Sequence, residues 1–155
     1  MGIESNFDMG AINSYLNNRL RTLEELVVRN LNYLGMQCVT IAKNLDTYKD
    51  RSGNLRNSIG YIVVAKGVVV NSLFEGSTAG NGKSTSDEKG DKVGAAFARG
   101  LAEKYSEGYV LIVVAGMKYA SYVEDVHHLA VLEPAENYAK SNMLSVANRI
   151  VNSMK

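Results

Sequence analysis

Ile59-Gly60-Tyr61-Ile62-Val63-Val64-Ala65-Lys66-Gly67-Val68-Val69-Val70-Asn71-Ser72-Leu73-Phe74 consists of two runs rich in β-branched residues on either side of Ala65-Lys66-Gly67. Branching at Cβ suits a pleated backbone and a glycine suits the break, so the segment predicts a β-hairpin with strands at 59–64 and 68–74. Near the turn both runs are apolar on both faces, which places the sheet between two covering layers or against a partner. Ser106-Glu107-Gly108 is a second turn signal, and the run Tyr109 to Ala115 after it predicts a third strand. The expectation is a small antiparallel sheet of three to four strands.

Upstream, Ile12, Leu16, Leu20, Leu23, Val27, Leu31, Leu34, Cys38, Ala42 and Leu45 recur at spacings of four, four and three, three times over. That is the period of an α-helix. Asn17, Asn18, Arg19, Arg21, Glu24, Glu25, Arg29 and Asn32 form its polar face, and Gly35 marks a weak point or kink. A continuous helix over this span is about 50 Å long, so it overhangs a compact domain. Tyr15, Leu26, Val28, Tyr33 and Met36 widen the apolar surface, which serves either plain core or a neighbouring subunit.

Downstream, Val93 to Tyr105 predicts a short helix with Phe97, Leu101 and Tyr105 on one side. Pro134 suits the first turn of a last helix, Glu133 and Glu136 suit its positive end, and Arg149 and Lys155 its negative end. Tyr138, Met143, Ala147, Ile150 and Met154 supply a packing stripe for it. Thr47 to Asn57 is polar, and residues 75–92 turn to Gly, Ser, Thr and mixed charge. Polar surface loops as long as 75–92 are either functional or mobile. The 155 residues therefore read as a single α+β domain, 1–155. In it a small antiparallel sheet packs with a long N-terminal helix, a short middle helix and a C-terminal helix.

Composition narrows the classes of function. A hydrophobic fraction of 46% with 21% charged residues is that of a folded globular chain, and no apolar run is long enough to cross a bilayer. A net charge of +1 gives no general attraction to nucleic acid or to an anionic membrane. Met1-Gly2-Ile3-Glu4-Ser5-Asn6 lacks the regions of a secretion signal, and Asn6 stands where a myristoylation motif has Ser or Thr, so the chain is expected to be made in the cytoplasm. Cys38 alone cannot form an internal disulfide, and its apolar neighbours predict a buried thiol.

Two constellations imitate chemistry. Gly76-Ser77-Thr78-Ala79-Gly80-Asn81-Gly82-Lys83-Ser84-Thr85 resembles a phosphate-binding loop, but five residues separate Gly76 from the Gly82-Lys83 pair where that loop has four. The extra residue breaks the convergence of backbone N–H groups on a phosphate. His127 and His128 are adjacent, so their side chains diverge and cannot easily share a metal. Glu124 and Asp125 lie near enough in sequence for a His–carboxylate pair, yet nothing nearby offers a nucleophile. The expectation is a protein without catalytic residues, metal or cofactor. Tyr119 and Tyr122, immediately after the third strand, suit an interface or local packing over the sheet edge.

Three short stretches occur in a telling order. Ser52-Gly53-Asn54-Leu55-Arg56-Asn57-Ser58-Ile59 precedes the hairpin, Tyr119-Ala120-Ser121-Tyr122-Val123-Glu124 follows the third strand, and Pro134-Ala135 opens the last helix. Together they resemble the minor tail component family of tailed double-stranded DNA phages, which shows a Ser/Thr-Gly-x-Leu-Arg-x-Ser-Ile pattern, a Tyr-Ala-x-Tyr-Val-Glu pattern and a Pro-Ala pair. The chain departs from that family in following Glu124 with Asp125-Val126-His127-His128 rather than an aromatic residue and Gly, and in the length of 75–92.

At the matching positions, Ser52 can cap a helical turn, Gly53 can take a tight backbone conformation, and Leu55 points inward while Arg56 points out. Arg56 and Glu124 are candidates for an ion pair joining the turn to the end of the sheet. The resemblance implies a structural virion protein acting in tail completion or in the neck that joins head to tail. It implies a sixfold homo-oligomeric ring that touches neighbouring neck or tail proteins, without sequence-specific nucleic-acid binding. The alternatives are a cellular ligand- or peptide-binding module, or an enzyme using His127 or His128 with Glu124, or Lys83.

Overall fold

The computed structural model describes residues 7–45, 52–76, 89–118, 120–121 and 130–154. In chain order the elements are α1 (Met9–Lys43), α2 (Asn54–Ser58), β1 (Ile59–Ala65), β2 (Val68–Phe74), α3 (Gly90–Ala102), β3 (Tyr109–Ala115) and α4 (Glu133–Ser153). The fold is α+β, and its sheet is three-stranded and antiparallel in the order β2-β1-β3.

The hairpin turn is Lys66-Gly67, with φ of 52° and 81°. Two consecutive positive φ values make a type I′ turn, whose twist matches that of the flanking strands. Gly67 takes the left-handed region without penalty. Past the turn β1 and β2 stay in register until a bulge at Val63/Val64, where the partners shift from Asn71 to Val69.

β1 is buried almost throughout, because both faces of the sheet are covered. Ile59, Tyr61 and Val63 point to the face held by α1 and α4. Ile62 and Val64 point to the face held by α3, with Ile112 and Val114 beside them. This accounts for the two-sided apolar character of β1, but not for that of β2, whose Val68, Val69 and Val70 stay exposed.

α1 opens on Asp8, whose carboxylate accepts from the N–H groups of Gly10 and Ala11. It then runs without interruption past Gly35. That glycine is no kink: a Cβ there would lie 2.6 Å from the Tyr61 ring, so its missing side chain lets the helix come down onto the sheet. Tyr61 fixes the approach by donating its hydroxyl to Asn32 Oδ1 at 2.7 Å. The spacing of four, four and three repeats every eleven residues, or 3.67 per turn, so the stripe stays nearly parallel to the helix axis.

α3 corrects the expected packing face. It begins at Gly90 and ends at Ala102, and it buries Gly90, Gly94, Ala98 and Ala102 rather than Phe97 and Tyr105, which are exposed. Small residues every fourth position let the helix backbone press against the sheet and α2. A Cβ on Gly94 would come closer than 3.0 Å to the Ser58 carbonyl oxygen, and one on Gly90 equally close to the carbonyl of Asn54.

α4 carries Pro134 in its first turn and buries Ala135 and Val146. Tyr138 and Ala139 pack at the edge of the α1 core, whereas Met143 and Ala147 of the expected stripe are exposed.

Candidate assembly surfaces

The first motif is a joint in the fold. Gly53 adopts φ 75° at the start of α2, and Ser52 Oγ accepts from the Asn54 N–H at 3.3 Å. Leu55 is buried, as its place in the pattern suggests. Arg56 does not point out. It is half-buried, and its Nη2 donates to the Leu45 carbonyl at 2.9 Å, tying α2 to the end of α1.

Ser58 is buried and polar, and its bonds explain why. Its hydroxyl donates to the Leu55 carbonyl at 2.8 Å and accepts from the Met117 N–H at 3.3 Å, while its carbonyl accepts from the Gly116 N–H at 3.2 Å. The motif thus grips the end of β3, where the second motif starts. Arg56→Ala is expected to lower stability by about 1.5 kcal/mol, the lower end for a hydrogen bond to a charged group. Urea denaturation of the purified variant measures it, and an unchanged midpoint would show that the Leu45 contact contributes nothing.

Of the second motif Ala120 and Ser121 are described. Tyr119, Tyr122 and Glu124 lie outside the described residues, as do the Arg56–Glu124 pair, His127, His128 and the part of the phosphate-loop lookalike that contains Lys83. Ala120 is buried, and so is Ala135 beside the half-buried Pro134. Leu55, Ile59, Ala120 and Ala135, drawn from all three motifs, fall in one apolar cluster with Leu34, Cys38 and Val131. Their chemistry is packing. Cys38 belongs to the same cluster: its Sγ lies 3.6 Å from the Ala135 carbonyl, and burial pushes the thiol above its usual pKa.

Among the described residues, the apolar surfaces left uncovered outside this joint include three of note. The first is the leading part of α1. Glu24 pairs with Lys66 of the hairpin turn, and the Lys66 ammonium holds that carboxyl below its ordinary pKa. N-terminal to this fastening, Met9, Ile12, Tyr15, Leu16 and Leu20 are all exposed, whereas from Leu31 onward the same stripe is buried. The helix therefore projects about 22 Å, fifteen residues, beyond its attachment.

The second surface is a groove of about 490 Å³ between β3 and α4, lined chiefly by Leu31, Leu111, Val113, Leu132, Ala139 and Met143. Its ionisable lining groups are Glu136, Tyr109 and Cys38. The third is the exposed start of β2, Val68-Val69-Val70.

No family model, curated protein or solved structure matches the chain. Among the described residues no group of three His, Cys, Asp or Glu side chains could hold a metal ion, and no helix is long and apolar enough to cross a membrane. Asn57, Gly94 and Gly116 were given no role from sequence, and Ser58 entered only as a position of the first motif. The Gly/Ala repeat of four was the available signal for α3.

Proposed function

We propose that the chain is a structural virion protein of a tailed phage, a tail-completion or neck component that assembles into a ring, sixfold, at the head–tail junction. The observation that carries this reading is the projecting half of α1. A monomer leaves exposed there an apolar stripe continuous with its own core, and large uncovered apolar patches mark interaction sites. The ordered motifs of the minor tail component resemblance add to it, because Leu55, Ile59, Ala120 and Ala135, from all three, converge on one cluster at the joint of α2, β3 and α4.

The role is one of contacts without catalysis. Distinct surfaces on one chain, meeting head to tail, generate a ring when the rotation closes. The near-neutral charge suits a ring that lets DNA pass without reading its sequence. Electron microscopy of the purified protein and of intact particles is expected to show closed rings and ring density at the head–tail joint. A monodisperse monomer that is absent from particles overturns the proposal. The groove beside β3 favours one other reading, a peptide-binding module, which a monomer that binds an apolar peptide would support.

A further inference from the structure

We infer that the projecting half of α1 in one copy seats in the groove between β3 and α4 of the next copy. This rests on the ring reading only in needing a head-to-tail contact, and it names the two surfaces that make it.

The helix side has the composition of an interface core. Residues 9–18 carry no charge, although most of them are exposed, and they include Met9, Tyr15 and Leu16. Interface cores are depleted in charge and enriched in Met and Tyr. The exposed apolar side chains between Met9 and Leu20 amount to roughly 500 Å², a large part of the about 800 Å² that each partner contributes to a standard interface. Ile12, Leu16 and Leu20 at i, i+4 and i+8 are the anchors of a helix laid in a groove.

The groove side is apolar, and the carboxylate in its lining is Glu136. The charges on the projecting segment from Met9 to Leu23 are Arg19 and Arg21, of opposite sign. Glu136 also meets Lys140, and Arg21 meets Glu25, so these charges set orientation more than strength.

The helix cannot fill its own groove. α1 is unbroken from Met9 to Lys43, and its own Leu31 and Cys38 form part of the groove wall. Leu16 stands fifteen residues from Leu31, about 22 Å along a rigid helix. The contact must therefore be between copies, and passed on from copy to copy rather than exchanged within a two-fold pair it is heterologous.

The test uses Leu16→Cys, Met143→Cys and the double variant with a short bis-maleimide crosslinker. Both positions are exposed, 51% and 47%, so the fold tolerates them, and Cys38 at 1% exposure stays out of the reaction. The double variant is expected to give a ladder of covalent multimers, the two single variants mixed are expected to give a crosslinked dimer, and each single variant alone none. Dimers from Leu16→Cys alone would show helix-to-helix pairing and overturn the inference. So would the absence of a ladder, whether the protein sediments as an oligomer or as a monomer. Rings in the microscope without a ladder would reject this contact and keep the ring, whereas a ladder without closed rings would do the reverse.

Discussion

Gly94→Ala should destabilise the protein by about 2 kcal/mol while Gly100→Ala, six residues on in the same helix, should stabilise it by about 0.5 kcal/mol. In an exposed helix the exchange of Gly for Ala gains up to about 1 kcal/mol, because glycine loses more backbone freedom on folding. Gly100 shows that gain alone, since a Cβ there meets nothing within 4 Å. At Gly94 the new methyl collides with the Ser58 carbonyl, which is backbone and already bonded to Gly116, and it crowds the Phe74 ring at 3.0 Å. The backbone carbonyl cannot swing away, so the collision outweighs propensity. Thermal or urea melts of the two variants side by side check the signs. Equal stabilisation by both would mean that α3 does not press on the sheet as described.

The second large contrast lies along α1. Leu34→Ala removes a side chain that is 2% exposed, in contact with the core cluster, and is expected to cost about 3 kcal/mol through lost burial and the cavity left behind. Leu16→Ala makes the same chemical change eighteen residues earlier on the same stripe, where the side chain is 51% exposed. In the monomer it should shift stability by less than about 0.5 kcal/mol. Its effect should appear in association instead, as a weaker oligomer in sedimentation. A Leu16→Ala monomer that melts like Leu34→Ala would place the leading half of the helix in the monomer core.

These contrasts mark what was legible in the residues. The three strands and the long helix were, because Val and Ile runs and an apolar repeat of 3.67 residues report directly on backbone period. The face of α3 was not. Large side chains usually signal the buried side, but here the closeness of backbone to backbone decides, so Gly90, Gly94 and Ala98 go in and Phe97 stays out. Gly35 misled in the same way, since its role is set by Tyr61, twenty-six residues away in the chain.

The motif residues were legible as a pattern but not as a place. Ser58 meets Met117 across a separation of fifty-nine residues and Cys38 meets Ala135 across ninety-seven. Neither pairing leaves a local trace in composition or periodicity. Arg56 read as outward because arginine usually is, whereas the Leu45 carbonyl at the end of α1 offered it a partner.

The unbroken course of α1 past Gly35 gives the molecule an angular memory. Each residue turns the helix by about 100°, so the direction in which Leu16 faces is set by the way Leu34 and Cys38 are seated against the sheet. Removing one residue between Leu20 and Glu24 would leave the core untouched and swing the projecting stripe a quarter-turn or more away. Removing eleven would shorten the arm by about 16 Å and keep its aim. Reach can therefore vary only in steps that preserve phase, and in the proposed ring a partner surface would sense the core of its neighbour as a heading carried along a single helix.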